Sequence, residues 1–227
     1  MKDFLNIFII IRKRGFRFFW DYFKESIWFD LRFGTSTFLR VPKIKQKIKI
    51  EDNRNDDGLL YVASFTSVIF KTLFKAEDIM GSERFRQAQF IDLGCGKGKT
   101  LIIYKKYLKD LNTYPPIGLE YDKELVNLSL KNLAKLSFTE KDIEVYYENA
   151  LNLRKYIKSK EVIIYLYNSF KGKTFDDILD CLKDLPHVLI YIDPVERSKL
   201  TVRGYEIVAK NNGRYNANTW IVATLSL

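Results

Sequence analysis

Five short, largely apolar runs punctuate the chain from residue 90 onward: Phe90–Leu93, Ile117–Glu120, Ile143–Tyr147, Val162–Tyr167 and His187–Ile192. Runs of this length read as strands, and the unbroken apolar stretch Val162–Tyr167 as a central strand of a parallel sheet. Between them, apolar residues recur every three or four positions, which predicts helices over Leu101–Leu111, Lys123–Leu136 and about 175–185. A further helix is expected over Leu59–Lys75, on the spacing of Leu60, Ser64, Val68 and Leu73. Tyr205–Ala209 and Thr219–Leu225 read as two last strands joined through Gly213. So tight a connection suits antiparallel neighbours and cannot join parallel ones. The alternation of strand and helix predicts an α/β fold with helices on both faces of a mixed sheet.

The first fifty residues follow another pattern. Phe4–Ile11 is almost wholly apolar, Arg12-Lys13-Arg14-Gly15 follows, and then Phe16-Arg17-Phe18-Phe19-Trp20. A signal peptide carries its positive charge before the apolar run and small residues after it, and here the order is reversed. Two short helices broken near Gly15 are expected, apolar on one side and basic on the other. Such a segment serves as a helical cap on the domain, as a subunit contact, or as an anchor on an anionic membrane surface. Trp28–Thr37 is dense in aromatics and too polar for a simple helix. Lys43, Lys45, Lys47 and Lys49 alternate with Ile44, Ile48 and Ile50 as in a strand or extended arm, and Glu51–Gly58 reads as a linker. The chain divides accordingly into an extension, residues 1–57, and a domain, residues 58–227.

Charge and cysteine content narrow the classes. The net charge is +10, and twelve Lys/Arg against four Asp/Glu in the first fifty residues carry most of it. Nucleic acid, an anionic membrane and an acidic protein all remain partners compatible with that balance. With 2 Cys and 1 His, neither a disulfide framework nor a zinc cluster is expected, and no metal site is assigned. Cys95 and Cys181 read as reduced thiols of a cytoplasmic protein, with membrane association left to the N-terminal segment. No apolar run reaches the roughly 18 residues a membrane-spanning helix needs.

The chemistry centres on Asp92-Leu93-Gly94-Cys95-Gly96-Lys97-Gly98, where a buried strand turns into a helix. Glycine permits positive φ and close backbone approach, and a helix N-terminus offers free N–H groups to a polar or anionic edge. A dinucleotide fingerprint would place its third glycine at Lys99, and a phosphate-binding P-loop would need glycine at Leu93, so neither fits. The pattern that fits is D-x-G-x-G-x-G. In an open α/β sheet ligands bind beyond the carboxyl ends of the strands. Glu120, Asn149 and Asn168 stand at three such ends.

The glycine turn resembles motif I of class I S-adenosylmethionine (SAM) methyltransferases, and the likeness spans about residues 59–227. It implies the Rossmann-like seven-stranded methyltransferase sheet, order 3-2-1-4-5-7-6, and SAM as cofactor. The implied cofactor-binding set is Asp92, Gly94, Gly96 and Gly98 for the methionine end, Glu120 with Tyr121 for the ribose, and Asn149 for adenine. Families of this kind usually carry an acidic residue where Asn149 stands. Asn168 and Phe170 match a place in amino-methylating members that holds an Asn or Asp, often followed by Pro, then an aromatic, with Ser169 in place of the usual Pro. More narrowly, Trp28–Thr35, Asp92–Gly98 and Tyr167–Phe170 together resemble a bacterial group distantly similar to DOT1-like lysine methyltransferases. That likeness extends the methionine site to Tyr61 or Ser64. The implied reaction is N-methylation of an amine, a protein lysine ahead of a small molecule, with Asn168 and Phe170 catalytic. An O-methyltransferase acting on a glycan or lipid, and a non-catalytic SAM-fold binding module, are the rival readings.

Overall fold

The computed structural model describes residues 16–38, 61–109 and 111–225. The expected Lys43–Ile50 arm, the linker, the boundary at 57/58 and the break near Gly15 lie outside the described residues.

Seven strands form one sheet in the order β3-β2-β1-β4-β5-β7-β6. They are β1 (Gln89–Leu93), β2 (Ile117–Glu120), β3 (Glu144–Tyr147), β4 (Val162–Tyr167), β5 (His187–Ile192), β6 (Tyr205–Asn211) and β7 (Trp220–Leu225). Neighbours are parallel from β3 to β5, while β7 runs antiparallel to both β5 and β6. The central strands β1, β4 and β5 are almost entirely buried, which is why they read as unbroken apolar runs. At the edge, β6 alternates buried Tyr205 with exposed Glu206, and such polar edge residues discourage pairing with another sheet.

Two cores flank the sheet. One gathers Phe90, Ile163 and Ile190 against α2 (Thr66–Met80) and α4 (Lys99–Leu108). The other gathers Ile91, Ile164 and Leu189 against α6 (Gly172–Leu182) and a 3₁₀ turn, Ala150–Tyr156. The remaining helices are α3 (Ser82–Gln87), α5 (Lys123–Lys135) and α7 (Arg197–Val202).

The sequence pattern misjudged three places. Trp28–Phe33 is helical (α1), continuing residues 16–22 through a π-helical turn, Phe23–Ile27. Its polar Asp30 is buried rather than exposed, and its Phe29 joins the first core, an insertion worth roughly 2–3 kcal/mol. The helix expected from Leu59 starts only at Thr66, because residues 61–65 are not helical and Phe65 is extended, and it runs on to Met80. The last two strands are joined by an eight-residue connection containing a 3₁₀ turn, Asn216–Asn218, rather than a tight loop.

Candidate functional site

Gly94, Gly96 and Gly98 all have positive φ, at 75°, 54° and 79°. The turn they form is hydrogen-bonded within the protein. Gly94 and Cys95 donate to the Leu119 carbonyl, Gly98 donates to Cys95, and Gly96 donates to Glu120 Oε2 at 2.9 Å. The N–H groups of Gly94, Cys95, Gly96 and Gly98 are therefore taken within the protein. Each missing side chain also makes room for a neighbour. A Cβ on Gly96 would lie 2.2 Å from the Tyr61 ring, one on Gly94 2.8 Å from Ser169 Oγ, and one on Gly98 2.4 Å from Ser129 Oγ. The glycines thus draw Tyr61, Ser169 and Ser129 around the turn.

Glu120 ends β2 half-buried, its other oxygen accepting from Asp122 N at 2.9 Å. Burial raises its pKa, against the opposing pull of these backbone donors. Asp92 is buried one strand away, and its pKa is raised by burial and then by the Glu120 charge. Beside Glu120, Tyr121 and Tyr147 stack at 5.9 Å and are 42% and 57% exposed, an open aromatic platform at the ends of β2 and β3. Asn149 follows that platform, but its amide oxygen accepts from Leu151 N and caps the 3₁₀ turn.

The third part of the site lies where β4 and β5 end. Asn168 and Asp193 both hold positive φ, 37° and 49°, a costly conformation for residues with a side chain. Asn168 Nδ2 donates to Asp193 Oδ2 at 2.9 Å, while Asn168 Oδ1 is buried and has no partner. Flipping the amide would set its oxygen against a carboxylate, so Asp193 decides which way it points. Asn216, from the β6–β7 connection, reaches the same Asp193 oxygen at 3.5 Å. Phe170, half-buried, closes on Gly94 from the β4 side.

A loop from the N-terminal helix covers the turn. Gly34 ends α1 in the left-handed conformation, and the chain folds back over Asp30, whose carboxylate accepts from Thr35 Oγ1, Thr37 Oγ1, Thr37 N and Phe38 N. Tyr61 OH donates to the Thr37 carbonyl at 2.6 Å, and Ser36 N to Asn132 Oδ1 at 2.9 Å. Beneath the loop, Lys99 Nζ donates to the carbonyls of Glu25 and Ser64, and burial lowers its pKa to about 7.

No family model matches this sequence, and no curated protein does. Solved structures share its shape. Magnesium protoporphyrin IX methyltransferase of Synechocystis PCC 6803, with SAM bound, matches over 91% of this chain and 94% of its own at 11% identity and a TM-score of 0.51. MtNAS, in a variant complexed with S-adenosylmethionine, matches over 70% of this chain and 62% of its own at 12% identity, TM-score 0.52. HI0767, a Haemophilus influenzae protein assigned as a methylase, matches over 71% and 99% at 16% identity, TM-score 0.50. The chain has the class I methyltransferase fold.

On this methyltransferase sheet, Gly94, Glu120, Asn168 and Phe170 all sit at the carboxyl ends of strands. Tyr61 stands on the glycine turn with its hydroxyl bonded to Thr37. Ser64 is buried deeper, its Oγ accepting from Tyr165 OH at 2.9 Å. Asp193, Tyr147 and Lys99 received no role from the sequence. The Asp193-Pro194 pair at a predicted strand end was the signal for the first; Tyr147 lay inside an ordinary strand pattern, and Lys99 stood between the glycine turn and the helix predicted from Leu101.

Proposed function

We propose that this protein is a SAM-dependent N-methyltransferase acting on an amine, with a protein lysine ahead of a small-molecule amine. The observation that carries the reading is the buried, unpartnered Oδ1 of Asn168, held in place through Asp193. The residues present fit the cofactor. Glu120 is an acceptor-only carboxylate suited to ribose hydroxyls, and the exposed Tyr121–Tyr147 pair suits a flat adenine. Asn149 retains its amide N–H groups for that ring.

When bound, SAM would supply a methyl group on its sulfonium sulfur, whose carbon an amine lone pair takes in line while the C–S bond breaks and its electron pair stays on sulfur. Asn168 Oδ1 accepts an N–H of that amine and so fixes where the lone pair points. A lysine ammonium must first lose a proton, its ordinary pKa being about 10.4. The half-buried aromatics Tyr167 and Phe170 disfavour the charged form by desolvation and keep water out. No histidine serves as base there: His187 lies at the opposite end of the sheet, its ring nitrogens bonded to Leu185 O and Tyr205 OH.

Tritiated SAM incubated with cell lysate and the protein, followed by separation of protein, lipid, glycan and nucleic acid, tests the reading. Label is expected in protein or in small amines and is expected to vanish with Asn168→Ala. Label in lipid or glycan hydroxyls, or in RNA, would overturn it. SAM binding without label in any fraction would make the chain a binding module.

A further inference from the structure

Residues 16–22, the π-helical turn and α1 make one continuous helix of eighteen residues, roughly 27 Å long. One side of it is committed to the domain: Phe18, Ser26, Phe29 and Asp30 are buried, and Glu25 bonds to Ser67 N and Lys99. The other side is open. Its apolar members are Phe16, Trp20, Trp28 and Leu31, between 46% and 66% exposed. Its remaining exposed members are Arg17, Lys24 and Arg32, and no acidic residue of the helix is fully exposed.

We propose that this face docks on an anionic lipid surface. Aromatic and aliphatic side chains interleaved with cations match the boundary between acyl chains and negatively charged headgroups. Lys24 Nζ stands 5.2 Å from the Trp20 ring centroid, so cation and ring present themselves together. The upstream sequence continues the same chemistry, apolar at Phe4–Ile11 and basic at Arg12–Arg14. A nucleic acid would use the cations and gain little from Leu31 or Phe16, which favours the lipid. Among the described residues no helix is long and apolar enough to cross a membrane, so the helix lies on the surface. Its inner side reaches the glycine turn through Lys99 and the Asp30 loop, which sets the candidate site beside the bilayer.

The tryptophans provide the test. The chain has 3, of which Trp20 and Trp28 are on this face and Trp220 is 8% exposed in the core. The full chain is mixed with vesicles of pure phosphatidylcholine, or of phosphatidylcholine with phosphatidylglycerol, and tryptophan emission and co-sedimentation are followed. Binding and a blue shift are expected with the anionic vesicles alone. The triple variant Arg17→Glu, Lys24→Glu, Arg32→Glu should weaken binding about a hundredfold or more, while its circular dichroism and melting stay those of the parent. Absence of binding to anionic vesicles, or equal binding to both kinds, would overturn the proposal. So would binding to single-stranded RNA without binding to vesicles. No outcome depends on methyl transfer.

Discussion

Gln89 and Asn168 stand at opposite ends of the paired strands β1 and β4, and the fold treats their amides differently. Gln89, at the amino end of β1, donates to Tyr156 O and accepts from Lys158 N, so both halves are used. Asn168, at the carboxyl end of β4, has one half bonded and one half buried and empty. His187 and Asp193 repeat the contrast on β5, the first with both ring nitrogens bonded, the second in a left-handed conformation. One end of the sheet is chemically closed. The other holds strained backbone and an unused acceptor, which costs stability unless a ligand or substrate completes it.

The sharpest break in this comparison is Gly96→Ala. A left-handed alanine and an overlap with the Tyr61 ring together predict a loss of about 2–5 kcal/mol in denaturant unfolding. Adding Tyr61→Ala should recover part of it, because the two positions are in contact. Next comes Glu120→Ala. Removing an acceptor-only carboxylate should weaken SAM binding by about 2–3 kcal/mol in calorimetry, and unchanged affinity would detach Glu120 from the cofactor.

At the closed end, His187→Ala should cost about 1–3 kcal/mol of stability and leave SAM affinity as it was, since it strands Tyr205 OH. Asn168→Gly should do the reverse. Relief of the left-handed residue offsets the lost bond to Asp193, so melting should change by the equivalent of about 1 kcal/mol or less while methyl transfer disappears. If both variants lost stability equally, the two ends would not differ as described.

The smallest effect concerns pH. Burial lowers the His187 pKa, so the folded protein resists a proton that the unfolded chain accepts near about 6.5. This contribution is complete above that pH and is lost as pH falls toward the depressed folded value. Asp92 and Glu120, raised by burial, act in the opposite sense: their contribution is present below about pH 4 and is lost as pH rises through the raised values. Melting curves between pH 5 and 8 should therefore lose their acid-side decline in His187→Gln, while retaining the opposing carboxylate trend.

The sheet was legible in the sequence because burial on both faces leaves an unambiguous signal. Strands Ile117–Glu120, Val162–Tyr167 and His187–Ile192 have the limits the pattern predicted. Short elements escaped it: α3 and α7 are six residues each, under two turns, too brief for periodicity to register. In the candidate site, residues at strand ends could be named, but their states could not. Nothing in the run Tyr167–Phe170 says that the Asn168 amide is half-used, since that depends on Asp193, twenty-five positions away. Asp30 was hidden for the same reason. Its burial follows from four bonds with a loop that returns over it only after Gly34 reverses the chain.

The π-helical turn at Phe23–Ile27 has a consequence for how this chain tolerates change. A wide turn absorbs an extra residue, as a slack loop of thread does in a seam, and so keeps Phe18 and Ser26 in phase with Phe29 and Asp30. Deleting one residue between Phe23 and Ile27 would therefore restore ordinary helical winding with the two halves still in phase. A residue added to an ordinary helix with no wide turn to take it up would instead rotate one half against the other by about 100°. The wide turn is thus the place in this helix where a change of length costs least.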